Sequence, residues 1–190
     1  WGRDTFISLP GLLLCTGRFP EARQVFLRFC EHMKAGLIPN VFGDKDSTYN
    51  SVDAPLWMVN ALARYEEYSG DTGFPLRLLP RLQEIVRHYL SGTMFGVAAE
   101  EGGLVSVGSP ETQVTWMDAC VGGCPVTPRN GSPVEVNALF ISALEAIGRW
   151  TDMAGKGGGD RYRKLAQSSR SAFLRSFRWP GVGLYDRLEA

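Results

Sequence analysis

The 190-residue sequence lacks an excess of charge of either sign, because 20 lysine and arginine residues balance 20 aspartate and glutamate residues. It therefore has no basic stretch of the kind that binds nucleic acid, and no acidic tail. Long hydrophobic runs are also absent: GLLLC at 11–15 is typical, whereas a transmembrane helix needs about 20 apolar residues. The sequence predicts neither a nucleic-acid partner nor a membrane partner, and it carries no signal for an oligomeric state.

Metal-binding side chains are scarce, since the sequence has only two histidines and four cysteines, namely Cys15, Cys30, Cys120 and Cys124. Cys15 and Cys30 fall within apolar helical patterns and are predicted to be core residues. Cys120 and Cys124 form a C-x3-C pair, which differs from the C-x2-C spacing of common zinc sites. We therefore expect no metal and no cofactor, and we expect reduced thiols inside the cell.

What the sequence does contain is a helical period of apolar residues. It predicts six helices, at 3–17, 20–35, 53–69, 75–90, 133–153 and 160–177. Asp53, Ser132 and Asp160 are expected to cap the third, fifth and sixth of them. Short connections join the helices into three pairs, and β-forming residues around Gly102 and Gly103 predict a short β-hairpin near 95–108.

Unusual polar and aromatic residues cluster before the first helix of each pair. The clusters are WGRD (1–4), STYNSVD (47–53) and a stretch from TWMDA to PVEV (115–136). If the helical hairpins stack side by side, all three clusters meet at one end of the stack. Six such hairpins close the commonest α/α toroid, so three make about half of a ring. Residues 1–190 are therefore expected to be the N-terminal portion of a single domain whose remainder follows position 190.

Four motifs carry a resemblance to a known family: WGRDTFISLPGLLL, YNSVDAPLW, TWMDA and VTPRNGSPVEVNAL. In this order they resemble the motif series of the glycogen debranching enzyme family, in its amylo-α-1,6-glucosidase domain. The resemblance implies an (α/α)6 barrel that hydrolyses the α-1,6-linked glucose stub of a trimmed glycogen branch, in the cytoplasm. The sequence departs from the family pattern at Cys120, Cys124 and Phe140, where a polar residue, an aromatic residue and a tryptophan are usual.

The resemblance assigns the general acid to Asp118 and places the general base, a glutamate, beyond Ala190. Inverting glycosidases need this carboxyl pair about 6.5–9.5 Å apart. Trp116 and Met117 are expected to remove water from the Asp118 carboxyl and so to keep it protonated. Aromatic faces and polar groups suited to a sugar accompany it, and we expect substrate binding by Trp1, Arg3, Asp4, Tyr49, Asp53, Trp116, Glu135 and Asn137.

Each of these residues also has a structural interpretation. Asp53 could serve only as a helix cap, Glu135 only as a first-turn carboxylate, and Arg3 with Asp4 as a structural ion pair. Asp118 could form a turn, and Trp57 is better explained as a core residue than as a sugar platform. For function, the alternatives are another (α/α)6 glycosidase, glucoamylase-like or trehalase-like, and a helical carbohydrate-binding module without catalysis.

Overall fold

Six α-helices form the framework of the computed structural model, which describes residues 1–43, 46–100, 102–155 and 157–189. In this part of the chain they are α1 (Gly2–Leu9), α2 (Phe19–Glu31), α3 (Ala54–Ser69), α4 (Gly73–Ser91), α5 (Val134–Met153) and α6 (Gly159–Ser176). A π-helical turn at Pro10–Leu14 extends α1. The six helices and their three pairs agree with the prediction from the apolar period, apart from shifts of a few residues at the ends.

Short antiparallel strand pairs lie in the connections between the helices. β1 (Ala98–Ala99) pairs with β2 (Val105–Ser106), which confirms the hairpin predicted near 95–108. β3 (Cys120–Val121) pairs with β4 (Cys124–Pro125) inside the long loop before α5. β5 (Ser132–Pro133) pairs with β6 (Arg187–Leu188), so the end of the described chain is tied to the start of α5.

The core lies between two helical layers. Helix α1 packs on α3, and α3 packs on α5, so the first helices of the three hairpins form one continuous layer. An aromatic cluster that contains Phe6, Phe26 and Tyr65 joins α1, α2 and α3. The ring of Tyr89 on α4 stacks on Phe140 of α5, with centroids 5.8 Å apart. Apolar residues at helical spacing thus bury one face of each helix.

Three helix starts differ from the capping prediction. Asp53 occupies the N-cap position of α3, but its carboxylate makes no capping hydrogen bond. Ser132 lies in β5, and Pro133 takes the N-cap position of α5. Helix α6 begins one residue before Asp160, after Gly158 in the left-handed conformation. The two aspartates instead form ion pairs with arginines, which compete with capping for the same oxygens.

The prediction that Cys15 is a core residue is wrong, because its side chain is exposed. The physical reason is the π-helical turn at Pro10–Leu14, which inserts an extra residue and rotates the positions that follow it away from the α-helical phase. Cys30 is buried as predicted, and burial raises the pKa of its thiol to about 11. Cys120 and Cys124 are both exposed. Cys124 pairs with Val121, the neighbour of Cys120 on β3. Because successive side chains of a strand alternate between faces, the two cysteines lie on opposite faces of the β3–β4 ribbon.

A tight backbone contact fixes the start of α1. The Gly2 amide donates a hydrogen bond to the Asn40 carbonyl at 2.7 Å, and a Cβ at Gly2 would lie 2.3 Å from the carbonyl oxygen of Pro39. We expect Gly2→Ala to lower the free energy of unfolding by about 1–3 kcal/mol, because the backbone would have to move apart. Urea denaturation measures this effect.

Gly11 supplies the matched control, because a Cβ there meets nothing within 4 Å. Gly11→Ala should leave stability unchanged or raise it by up to about 1 kcal/mol, since alanine has the higher helix propensity. Equal destabilisation by both substitutions would show that the Gly2–Pro39 contact does not restrain the fold.

Candidate functional site

The N-terminal ends of α1, α3 and α5 meet at one edge of the helical layer. Arg3 in the first turn of α1 contacts Asp53, which immediately precedes α3. The charge of Asp53 also acts on Glu135, in the first turn of α5. The three sequence clusters therefore lie at a common rim, where the free N–H groups of helix ends add positive potential.

Arg3 is the centre of this rim. Its buried guanidinium donates Nε to both carboxylate oxygens of Asp53, at 3.0 and 2.8 Å, and Nη2 to the Ser51 hydroxyl at 3.0 Å. Its third nitrogen, Nη1, donates to Oδ2 of Asp118 at 2.9 Å. Burial alone would lower the pKa of Arg3, but the hydrogen bonds and charges of Asp53 and Asp118 outweigh it and raise that pKa. Arg3 thus joins Asp53 to Asp118, although Arg3 and Asp118 are themselves 115 positions apart in the sequence.

Asp53 holds Arg3 rather than the helix. Its carboxylate is fully buried, accepts a further hydrogen bond from the Ser51 hydroxyl at 2.9 Å, and makes none to the first turn of α3. We therefore assign Asp53 to the support of Arg3, because no atom of it is free for a sugar. Asp4 does not pair with Arg3 within the described chain; it is exposed on the adjoining face of α1.

Asp118 is partly open to solvent, with 34% of its side chain exposed. Trp116 is also exposed, at 53%. The expectation that Trp116 and Met117 remove water from the carboxyl therefore does not describe this geometry; the charged Arg3 is the neighbour that acts on it. Among the described residues, Oδ2 of Asp118 is held by Arg3, and Oδ1 accepts no hydrogen bond.

Asp118 lines a cleft of about 580 Å³. Its other walls are formed by Trp1, Asn40, Val41, Thr48, Tyr49, Asn50 and Phe95. The sequence interpretation had selected Trp1, Tyr49 and Asp118 from this set. It missed the two asparagines, although Asn50 stands within the STYNSVD cluster. The described walls of the cleft combine aromatic faces with neutral polar groups and one carboxylate, that of Asp118.

Two aromatic residues of the cleft are held firmly. The Tyr49 hydroxyl donates to the carbonyl of His32 at 2.9 Å, which fixes the ring against the end of α2. Phe95 has the left-handed backbone conformation, with φ of 62°, which costs about 1–3 kcal/mol for a non-glycine residue. Its carbonyl accepts a 2.7 Å hydrogen bond from the Gly108 amide, and this contact helps to hold the strained turn.

Asn137 is a framework residue rather than a member of the cleft. Its amide nitrogen donates to the carbonyls of Val105 and Pro133, and its oxygen accepts from the Val105 amide at 2.7 Å. The side chain is buried and joins β2 to the first turn of α5. Trp57 is partly buried and packs against the core, in line with the core role favoured from the sequence.

Glu135 belongs to a second charged cluster beside the first. The buried Arg129 guanidinium forms ion pairs with both Glu135 and Asp186. Burial raises the pKa of the Glu135 carboxyl, the charge of Asp53 raises it further, and Arg129 opposes both effects. The sequence interpretation missed Arg129 and Asp186, because neither the PRNG turn nor the end of the chain showed a helical period.

Because the pKa of Glu135 is raised, we expect the free energy of unfolding to depend on pH. Between its ordinary value of 4.5 and the raised value, the folded protein retains a proton that the unfolded chain releases. The stability of the wild type relative to Glu135→Gln should therefore fall as pH rises through this window and become constant above it. Urea denaturation of both proteins across a pH series measures the difference.

Glu66 gives a control of opposite sign. Burial would raise the pKa of Glu66, but hydrogen bonds from Arg149 and Trp150 lower it overall. Stability relative to Glu66→Gln should therefore rise with pH and be lost only as pH falls through the lowered pKa. The same pH trend for both variants would contradict the assignment for Glu135.

Within the described residues, no group of three or more histidine, cysteine, aspartate or glutamate side chains has a metal-binding arrangement. The helices of the same residues include none that combines the length and the apolar character of a membrane span.

Comparison with known proteins places this chain in a family. A family model described as amylo-alpha-1,6-glucosidase matches residues 1–189. A glycogen debranching enzyme of Saccharomyces cerevisiae is 32% identical over 203 residues, covering 77% of this chain and 13% of that enzyme. The structure of a rhamnosidase from Klebsiella oxytoca with rhamnose bound is similar, with a TM-score of 0.63 at 19% identity, over 86% of this chain and 30% of that chain. This last likeness concerns the fold alone.

The fold is thus all-α and of the (α/α)6 type, and the three described hairpins are half of the six in such a barrel. The family whose model matches is described as a glucosidase, so the class of protein that this family defines is the glycoside hydrolase. The chain belongs to the amylo-α-1,6-glucosidase family. The chain spans 13% of the length of the yeast relative and 30% of the rhamnosidase chain.

Proposed function

We propose that this chain is part of an inverting glycoside hydrolase that releases glucose from α-1,6 branch stubs of glycogen or limit dextrin. The observation that carries the proposal is the position of Asp118, a partly exposed carboxyl held by Arg3 in a cleft with aromatic walls. Membership of the family and the 32% identity to a glycogen debranching enzyme support the choice of bond and substrate. A cytoplasmic location follows if glycogen is the substrate.

In this proposal, Arg3 fixes the orientation of the proton donor. In the acid form, a proton on Oδ1 leaves Oδ2 as the acceptor for Arg3 Nη1. After Oδ1 gives its proton to the glycosidic oxygen, the same arginine stabilises the carboxylate that remains. Because Asp53 and Ser51 hold the other nitrogens of Arg3, the donor stays in one orientation during this step.

As the family resemblance implies, we place the general base, a glutamate, beyond Ala190. Asp118 is the only carboxylate among the described residues that line the cleft, and an inverting reaction needs a second one about 6.5–9.5 Å away. The three described hairpins are half of an (α/α)6 barrel. In this proposal the other half of the barrel carries the general base.

The sugar-binding surface in this proposal consists of the cleft and its rim. Trp1 and Tyr49 offer flat faces to the C–H side of a pyranose, and the exposed Trp116 and Asp4 extend this surface outward. Glu135 contributes a buried acceptor at the start of α5. Arg3 and Asp53 contribute through Asp118, and Asn137 contributes through the framework of α5.

The test uses the intact protein that carries this chain, with isomaltose-type branch stubs, maltose and trehalose as substrates. We expect preferential release of glucose from the α-1,6 stub and, by proton NMR, β-glucose as the first product, since inversion changes the anomeric configuration. Preference for maltose or trehalose would favour a glucoamylase-like or trehalase-like activity. Glucan binding without turnover of any substrate would favour a carbohydrate-binding module.

A further inference from the structure

Asn40 is a buried polar residue in the wall of the cleft that contains Asp118. It is only 2% exposed, and its main chain is fixed on both sides: its amide donates to the Thr48 carbonyl, and its carbonyl accepts from the Gly2 amide, both at 2.7 Å. The main chain of Asn40 is therefore held in place beside the start of α1, in the same cleft as Asp118.

The amide of Asn40 is nevertheless poorly satisfied. Its nitrogen makes one long contact, 3.5 Å from Oδ1 of Asn50, and its Oδ1 has no hydrogen-bond partner among the described residues. Native proteins rarely leave a buried side-chain acceptor unpaired, because the group has lost water and gained nothing in exchange. A polar atom of this kind in the wall of a ligand-sized cleft indicates that a ligand completes its hydrogen bonds.

We propose that Asn40 binds a hydroxyl group of the glucosyl residue whose glycosidic oxygen Asp118 protonates, and that Asn50 assists from the same wall. This inference rests on the proposed function, since it names a recognition residue of that same site. A sugar hydroxyl both donates and accepts hydrogen bonds, so one hydroxyl can donate to Oδ1 while another accepts from Nδ2. The neutral amides and the aromatic faces of Trp1 and Phe95 suit an uncharged polyol.

This role has a consequence for specificity. A site built to hydrogen-bond a hydroxyl rejects an analogue that lacks it, because the buried amide is then left unpaired. The residue is also expected to lower stability in the absence of ligand. A purely structural asparagine would behave in the opposite way, because its removal would break hydrogen bonds that already exist.

Asn40→Leu separates the two roles, since leucine has nearly the same shape and no polar atoms. We expect its melting temperature to equal or exceed that of the wild type, while the affinity of the intact protein for isomaltose falls about tenfold or more. Isothermal titration calorimetry and differential scanning calorimetry measure the two quantities. Asn60→Leu, at a half-buried asparagine on α3 outside the cleft wall, is the matched control and should leave affinity unchanged.

A second measurement identifies the hydroxyl. Methyl α-glucosides that each lack one hydroxyl should bind the wild type with different losses of affinity. For the glucoside that lacks the hydroxyl recognised by Asn40, Asn40→Leu should cause no further loss of affinity. Asn40→Asp, which keeps the shape and removes the N–H donors, should also bind more weakly. Unaltered affinity of Asn40→Leu, or its failure to fold, would overturn this inference alone. A wild type that binds none of these sugars would contradict the proposed function itself.

Discussion

Replacing Asp118 by asparagine is expected to lower kcat for α-1,6 hydrolysis by a factor of about 10²–10⁴ in the intact protein, with little change in KM. The amide has no acidic proton to give to the glycosidic oxygen. Its oxygen can still accept the hydrogen bond from Arg3 Nη1, which now joins that nitrogen to Oδ2 at 2.9 Å. The cleft should therefore keep its shape, so binding and catalysis separate. Steady-state kinetics and glucan affinity electrophoresis measure the two effects.

A substrate with an acidic leaving group tests the chemical role directly. α-Glucosyl fluoride needs little protonation, so Asp118→Asn should hydrolyse it at a rate much closer to that of the wild type. Glu67→Gln is the control, since Glu67 is an exposed carboxylate on α3 that does not line the cleft. Equal losses on the fluoride and on the glycoside would remove Asp118 from the role of general acid.

The fold could be predicted from the sequence to a large extent, because an amphipathic helix has a periodic pattern of apolar residues within a short stretch of sequence. The apolar period located α1 to α6, and short connections paired them, since neighbouring helices in hairpins pack on each other. The exact starts were less predictable. A carboxylate at a helix start, such as Asp53 or Asp160, can cap the helix or pair with an arginine, and only the tertiary structure decides between the two.

The site could be predicted in part. Motif order brought Arg3, Asp53 and Asp118 to one rim, but it did not reveal that Arg3 bridges the two carboxylates. The Arg129–Asp186 ion pair spans 57 positions and carries no local pattern. Asn40 gave no signal either, since an asparagine after a proline usually indicates a turn. Contacts between loops distant along the chain depend on the packing of all three hairpins at once.

The second large effect concerns the stability of the rim. Asp53 is fully buried and faces Arg3, whose guanidinium is nearly buried as well. Asp53→Ala leaves that guanidinium with one carboxylate, and Asp118 is partly exposed to water. Removing Asp53 leaves the buried Arg3 charge without its main partner and with little water around it. We therefore expect a loss of about 3–5 kcal/mol in the free energy of unfolding. Urea denaturation at neutral pH measures it.

The surface pair between Arg64 and Glu67 provides the comparison, because both side chains are more than half exposed. Glu67→Ala should cost no more than about 1 kcal/mol, since water replaces the lost partner. Replacing Arg3 by methionine in the Asp53→Ala background should recover part of the stability, because it removes the stranded charge, but it should not recover activity, because Asp118 then loses its support. Similar costs for Asp53→Ala and Glu67→Ala, or restored hydrolysis in the double variant, would contradict the view that Asp53 acts through Arg3 on Asp118.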